Sequence, residues 1–166
     1  LPELAVLQVG VGTWAMAAAM ELKAWNPKMK ILCVEPKEAN GLQESFQNNA
    51  LSKTKGSQQT MLAGLNCGTP SVHAFPVLHQ LIDGIVAIDD AMAAEAMRKL
   101  YFPSEDDPPI ESGESGAAGL AALMALQEQP EIISHLGLKP DTPVLVFNTE
   151  GITNRRLFES IISSQG

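Results

Sequence analysis

Alternating apolar and polar segments divide the chain into short strands and amphipathic helices. Buried strands are predicted where brief apolar runs are bounded by polar or turn-forming residues, at 4–9, 30–34, 84–88 and within TPVLVFNTEG, residues 142–151. Helices are predicted where apolar residues recur every three to four positions, at 13–25, 38–48, 72–82, 91–101, 117–126 and 154–162. The remaining segments are predicted to be loops, at 50–71 around a short helical stretch at 60–65, and at the acidic PSEDDPP, residues 103–109.

The order of these elements predicts the fold. A strand, a helix and a second strand follow one another within about 35 residues, and such a βαβ unit makes the two strands parallel with a right-handed crossover. Strands and helices continue to alternate along the chain. We therefore expect an α/β fold, with a layered, mainly parallel sheet flanked by helices, in a single domain at 1–166.

The start of the chain raises a separate expectation. The chain begins at Leu1 and reaches its first predicted strand almost at once, at Leu4. We expect the 166 residues to be part of a longer protein, with the first strand leaving one edge of the sheet exposed. Because an exposed edge promotes association, a dimer or a crystal lattice is expected to cover it.

Composition and charge narrow the classes of partner. Apolar residues make up 45% of the chain, which is enough for a packed core, and 11 Lys and Arg against 19 Asp and Glu give a net charge of −8. The acidic excess disfavours nucleic acid and anionic membranes, and no apolar run is long enough to span a bilayer. The acidic charge thus leaves a small molecule or a protein as the expected partner. Cys33 and Cys67 fit neither a disulfide framework nor a zinc site, so we expect reduced thiols in a cytoplasmic protein.

The first candidate site follows the first strand, where Gly10, Val11, Gly12 and Thr13 open the first helix. Ligands of parallel α/β sheets collect at the carboxyl ends of strands, and the N–H groups of a helix start favour an anion such as phosphate. The Thr13 hydroxyl would add a donor. The same glycines also suit an ordinary tight turn, since the motif is neither a Walker loop nor a complete GxGxxG.

Two further polar segments follow later elements. Glu114 lies between glycines in SGESGA at a predicted helix start, where a carboxylate either interacts with the helix dipole or takes part in a site. Asn148-Thr149-Glu150-Gly151 follows the last strand, either as part of a site or as a turn. The three histidines lack metal-ligand spacing, and no serine has the Gly-x-Ser-x-Gly setting of a hydrolase.

Five segments considered together resemble the C-terminal portion of diaminopropionate ammonia-lyases in order and spacing: QVGVGTWA, VEP, TMLAGLNCGTPS, ESGESGAAGL and FNTEG. These enzymes belong to fold type II of the pyridoxal-phosphate enzymes, with threonine dehydratase and the tryptophan synthase β subunit. The segments GLNCGTPS, SGESGA and NTEG are specific to the ammonia-lyase branch. The resemblance covers nearly the whole chain and implies pyridoxal 5'-phosphate as cofactor and an amino acid as substrate.

The resemblance also implies roles for individual residues. The loop at 10–13 would hold the cofactor phosphate, Thr149 would present its hydroxyl to the pyridine nitrogen, and Glu114 would lie near the same ring edge or order its surroundings. A neutral hydroxyl leaves that nitrogen unprotonated or nearly so, which suits elimination chemistry. The implied enzyme is a homodimer that converts 2,3-diaminopropionate to pyruvate and ammonia.

The sequence departs from the family pattern at three points. Ile152-Thr153-Asn154 stands where Asp-Thr-Asp is expected, which removes an acidic contact. Asn40 stands near the position of a cysteine that in some members could pair with Cys67, so a disulfide role for Cys67 lacks support. No lysine of this chain has the family's Schiff-base motif, which precedes the glycine loop. We therefore expect the catalytic lysine outside these residues and no activity from them alone.

Two alternative functions stay open on sequence alone. The related chemistry of a threonine or serine dehydratase would use the same fold and cofactor, although SGESGA together with NTEG favours the ammonia-lyase. A non-catalytic binding or assembly domain of the same fold would explain the absent lysine and the altered residues after TEG.

Overall fold

Four parallel strands form the sheet in the computed structural model, which describes residues 1–104 and 106–164. The strands are β1 (Leu4–Gln8), β2 (Lys30–Pro36), β3 (Gly84–Ile88) and β4 (Val144–Val146). Their order across the sheet is β3-β2-β1-β4, and each neighbouring pair is parallel. The predicted α/β class and the parallel pairing of the first two strands are confirmed.

Helices cover both faces of the sheet. In the described residues they are α1 (Thr13–Trp25), α2 (Gly41–Gln47), α3 (Ala74–Leu81), α4 (Asp90–Tyr101), α5 (Ala118–Gln127), α6 (Pro130–Leu136) and α7 (Arg155–Ser163). Short 3-10 turns occur at Lys37–Ala39 and Ala63–Leu65. Within 1–104 and 106–164, none of the helices combines the length and the apolar character needed to cross a membrane.

Both faces of the sheet are buried, because alternate residues of a strand point to opposite sides. In β1, Leu4 and Val6 belong to a core shared with α4, α5 and α7, whereas Leu7 belongs to a second core shared with α1, α2 and α3. In β2, Leu32 belongs to the first of these cores and Ile31 belongs to the second. Burial on both faces explains why the strands appear in the sequence as continuous apolar runs.

The single helix predicted at 38–48 is wrong, because a 3-10 turn precedes α2 and the two are separate. Glu35, in β2, determines where α2 begins. Its Oε1 accepts a hydrogen bond from Leu42 N–H at 2.8 Å, and its Oε2 accepts one from Gln43 N–H at 2.9 Å. The carboxylate thereby satisfies two N–H groups of the first turn, which have no partner within the helix.

Helix α6 occupies residues for which no helix was predicted. Its boundaries nevertheless carry local signals: Pro130 lies in the first turn, and Gly137 ends the helix with a φ of 70°. The helical stretch predicted at 60–65 is also shorter than expected, since only Ala63–Leu65 forms a 3-10 turn.

The expectation that the first strand lies at an exposed sheet edge is wrong. Strand β1 pairs with β2 on one side and with β4 on the other, and Leu4 lies opposite both Lys30 and Val144. The edge strands are β3 and β4. In β4, Val144 is 37% and Val146 is 42% exposed, so the more exposed edge lies at the fourth strand.

Candidate functional site

A cleft of about 470 Å³ opens at the carboxyl end of β1, beside the start of α1. Its walls include Gly10, Val11, Gly12 and Thr13, together with Thr149 from the loop after β4. Strand β4 lies directly beside β1, which is why two segments far apart in sequence meet here. The structure thus brings together five of the six residues selected from the sequence.

Both glycines of the loop lie where a side chain would crowd its neighbours. A Cβ on Gly10 would lie 3.1 Å from Gly64 O and 3.2 Å from Cys67 Sγ. Gly12 has a φ of 91°, in the left-handed region that favours glycine, and a Cβ there would lie 3.2 Å from Leu78 Cδ1. Glycine at both positions lets the loop pack closely against the rest of the protein.

The loop and the first turn of α1 present unused backbone donors. Val9 N–H donates to Val34 O at 2.9 Å, and Met16 N–H donates to Gly12 O at 2.8 Å. In the part of the chain that the structure describes, the N–H groups at 10–15 have no acceptor. Helix α1 also has no acidic residue in its first turn to offset the positive end of its dipole. This arrangement favours an anion in the cleft.

Thr149 is exposed, while Phe147, the first residue after β4, is held in place. Phe147 packs its ring against Trp14 in an edge-to-face arrangement, with the ring centroids 5.4 Å apart. The backbone carbonyl of Phe147 also accepts a hydrogen bond from the side-chain amide of Gln8. The hydroxyl of Thr149 therefore projects from a segment that is fixed just before it.

Glu114 does not line this cleft. It is 4% exposed and lies in the turn before α5, which is attached to the loop after β4. Gly113 N–H donates to Glu150 O at 2.9 Å, and Ser115 N–H donates to Glu150 Oε2 at 3.2 Å. Glu114 lies in the glycine turn that precedes α5, and α5 begins at Ala118, one residue after the predicted start.

Gln8 also lines the cleft and was not selected from the sequence. It is the last residue of β1 and is 3% exposed. A polar residue that closes an otherwise apolar strand just before a glycine loop is the signal that could have identified it. Gly64 and Leu65, which also contribute to the wall, come from a segment predicted only as surface loop.

Two large pKa shifts occur in β2, away from the wall of the cleft. Burial raises the pKa of Glu35 to about 7 and outweighs the opposing effect of the N–H groups of Leu42 and Gln43. Burial also raises the pKa of the Cys33 thiol, and the nearby Glu35 carboxylate adds to that rise. Cys33 and Cys67 are free thiols, and the described residues contain no cluster of three or more potential metal ligands.

Comparisons with known proteins identify the family of the chain. The model of a family described as pyridoxal-phosphate dependent enzyme matches residues 1–149. Diaminopropionate ammonia-lyase from Escherichia coli strain K12 is 32% identical over 166 residues, covering 97% of this chain and 42% of that protein. The same enzyme from Salmonella typhimurium strain LT2 is 33% identical over 171 residues, covering 98% and 42%. The chain thus spans less than half the length of these relatives.

Solved structures share the fold. Diaminopropionate ammonia-lyase from Escherichia coli, in complex with an aminoacrylate-PLP azomethine reaction intermediate, has a TM-score of 0.88 at 31% identity, covering 98% of this chain and 42% of that chain. Maize serine racemase has a TM-score of 0.77 at 22% identity, covering 96% and 48%. Given the matching family model and the ammonia-lyase relatives, the chain belongs to the pyridoxal-phosphate dependent enzyme family.

Proposed function

We propose that this chain forms the cofactor-binding portion of a diaminopropionate ammonia-lyase, an enzyme that converts 2,3-diaminopropionate to pyruvate and ammonia by α,β-elimination. The observation that carries the proposal is the cleft in which the open N–H groups of the loop at 10–13 and the Thr149 hydroxyl come together. Similarity to diaminopropionate ammonia-lyases along nearly the whole chain supports this reaction over others of the family.

Pyridoxal 5'-phosphate suits the donors that the cleft offers. Its phosphate would lie at Gly10, Val11, Gly12 and Thr13, where backbone N–H groups and the positive end of α1 favour a dianion. Its pyridine nitrogen is an acceptor and would receive a hydrogen bond from the Thr149 hydroxyl. When bound, this cofactor supplies the electron sink for bond cleavage in the amino-acid substrate.

Thr149 would set the charge of the pyridine ring. A carboxylate at this position would stabilise a proton on the nitrogen, whereas a neutral hydroxyl donates a hydrogen bond and leaves the nitrogen unprotonated. The ring then lacks the full charge of a pyridinium, which suits loss of the β-amino group. Glu114, buried in the turn that is attached to Glu150, would order the protein behind the ring edge.

The proposal places the Schiff-base lysine in another part of the complete protein. The chain spans 42% of its ammonia-lyase relatives, and we assign it to their C-terminal portion. It would provide the phosphate loop, the contact to the pyridine nitrogen and part of the substrate pocket. The lysine from outside residues 1–166 would hold the cofactor covalently and move the proton at Cα of the substrate.

We also propose that the complete enzyme is a homodimer in the cytoplasm. The exposed side chains of Val144 and Val146 on the edge strand β4 offer an apolar surface for association. The free thiols of Cys33 and Cys67 suit a reducing compartment. Light scattering coupled to size-exclusion chromatography of the complete protein tests the dimer, and fractionation of the cells tests the compartment.

Assays of the complete reading frame, expressed with excess cofactor, test the reaction. We expect pyruvate from 2,3-diaminopropionate at a much higher rate than from serine or threonine. Pyruvate or 2-oxobutyrate formed mainly from serine or threonine would favour a dehydratase. A purified protein that binds no cofactor and releases no pyruvate would favour a non-catalytic binding domain.

Substitutions at Thr149 test the role of the hydroxyl. Thr149→Val keeps the shape of the side chain and removes the donor, so kcat is expected to fall about tenfold or more. Thr149→Ser keeps the hydroxyl and is expected to retain most of the activity. Equal activity of the Val and Ser variants would contradict the proposed contact with the pyridine nitrogen.

A further inference from the structure

We propose that Gln8 is a positioning residue that fixes Thr149 relative to the phosphate-binding loop, an inference that rests on the proposed function. Gln8 closes β1 and is separated from Gly10 by one residue. Its side chain is almost fully buried and lies on the wall of the same cleft. It therefore stands at the junction between the loop and the strand that carries it.

The amide of Gln8 reaches two other elements. Its Nε2 donates to Phe147 O, two residues before Thr149, and to Gly116 O at 3.4 Å in the turn before α5. One side chain thus joins the end of β1 to the end of β4 and to that turn. The two carbonyl oxygens, which are acceptors, identify the nitrogen of the amide, since the reverse orientation would place Oε1 against both of them.

Both flanks of Thr149 are attached to the same turn. Asn148 Oδ1 accepts a hydrogen bond from Ser112 Oγ at 3.2 Å, and Glu150 O accepts one from Gly113 N–H at 2.9 Å. The Thr149 side chain itself stays exposed. Since the side-chain amide at the end of β1 holds this turn and the end of β4 together, it sets the distance between the phosphate loop and the threonine hydroxyl.

The side-chain oxygen of Gln8 shows that packing in the core alone does not explain a glutamine at this position. Its Oε1 is buried and has no hydrogen-bond partner among the described residues. An unpaired buried acceptor lowers the stability of the folded protein, and a methionine of similar length would avoid this penalty. The two hydrogen bonds donated by Nε2 are what a methionine could not supply.

A double-mutant cycle on the apoenzyme from the complete reading frame tests the inference. Gln8→Met is expected to raise the dissociation constant of pyridoxal phosphate about three- to tenfold in the wild-type background. In a Thr149→Val background the same change is expected to have less than about a twofold effect, because the hydroxyl that it positions is gone. Gln129→Met is the matched control, since it removes an amide that bonds Ala125 O at 3.2 Å outside the cleft.

Gln8→Glu provides a second variant, which replaces the Nε2 donor by oxygen in a side chain of the same shape. It is expected to raise the dissociation constant as well. Both variants are also expected to speed hydrogen exchange of the buried Gly113 and Ser115 amides, which donate to Glu150, in the absence of cofactor, whereas Gln129→Met is not.

Two results would overturn the inference: equal effects of Gln8→Met in the wild-type and Thr149→Val backgrounds, or unchanged exchange of the Gly113 and Ser115 amides in both Gln8 variants. A wild-type protein that does not bind pyridoxal phosphate would instead contradict the proposed function. In that case the exchange measurement still decides whether Gln8 holds the turn before α5 against the loop after β4, so the two failures are distinguishable.

Discussion

Gly12 and Gly137 share a positive φ, at 91° and 70°, but differ in their surroundings. A Cβ on Gly12 would lie 3.2 Å from Leu78 Cδ1, whereas no atom lies within 4 Å of the corresponding position at Gly137. Alanine at either position must adopt left-handed backbone, which costs about 1–2 kcal/mol. Both alanine variants are therefore expected to lower the free energy of unfolding in urea by roughly that amount, with a somewhat larger loss at Gly12.

The same two alanine variants distinguish an effect on stability from an effect on ligand binding. Gly12→Ala is expected to weaken binding of pyridoxal phosphate, because the crowded Cβ shifts the N–H groups that bind the phosphate. Gly137→Ala lies outside the cleft and is expected to leave the dissociation constant unchanged. Equal dissociation constants for the two variants, measured by titration of the apoenzyme, would contradict the assignment of the loop.

Glu35 predicts a specific dependence of stability on pH. Burial raises its pKa from an ordinary value of 4.5 to about 7. Between these values the folded protein holds a proton on Glu35 that the unfolded chain has released, so the free energy of unfolding falls as the pH rises through this range. The full loss is on the order of 3 kcal/mol.

Glu35→Gln removes this titration and isolates it from other ionisable groups. The difference in free energy of unfolding between wild type and variant, measured in urea, is expected to shift against the wild type between about pH 5 and about pH 8. A difference that stays constant over this range would show that the carboxylate is charged throughout in the folded protein.

Residues that line the cleft could be predicted where the neighbouring sequence alone indicates them. Gly10 and Gly12 follow an apolar strand directly, and Thr149 follows another, so strand ends alone indicated a shared site. Gln8 could not be found in this way, because its partners lie 108 and 139 residues further along the chain. Glu114 lies in a glycine turn before a helix, as predicted, but the local sequence does not show that this turn packs on the loop after β4 instead of lining the cleft.

Helix α5 and the turn before it use glycine in two different ways. Gly119 lies inside the helix, and the nearest atoms to a Cβ there are those of Val146, at 3.5 Å and 3.6 Å, an ordinary contact distance. Gly119→Ala is therefore expected to raise the free energy of unfolding by about 0.5–1 kcal/mol, since alanine restricts the unfolded chain and favours the helix.

Gly116→Ala is the contrasting substitution in the same segment. A Cβ there would overlap Asn148 Oδ1 and would lie 2.8 Å from Ser112 Oγ, so the loop after β4 must move. The variant is expected to lower the free energy of unfolding by about 1–3 kcal/mol and to weaken cofactor binding. If urea denaturation gave the same change for both alanine variants, the close packing of the turn on this loop would be refuted.

Helices and strands could be predicted from the sequence where the apolar periodicity and the residues at the two ends indicate the same bounds. Helix α1 and strand β3 have the predicted bounds, and α4 begins one residue before its predicted start, where Asp89 accepts a hydrogen bond from Met92 N–H at 2.9 Å. Strand β4 is only three residues long, because pairing with β1 extends over those residues alone. Helix α6 was missed although proline and glycine mark its two ends.

The order of the strands in the sheet creates the cleft. The βαβ rule predicts that β1 and β2 are parallel, but it does not say which later strand takes the other side of β1. Strand β4 takes that place and brings its loop to the glycine loop. The protein carries a net charge of −8, so the proposed phosphate site depends on local N–H groups and the end of α1, not on overall charge.

The most direct measurement is a crystal structure of the complete protein grown with pyridoxal phosphate. Phosphate oxygens are expected about 2.7–3.2 Å from the backbone nitrogens of Val11, Gly12 and Thr13, and the pyridine nitrogen is expected within hydrogen-bond distance of Thr149 Oγ1. Density for the phosphate at another place in the protein, or a Thr149 hydroxyl turned away from the ring, would contradict the proposed site.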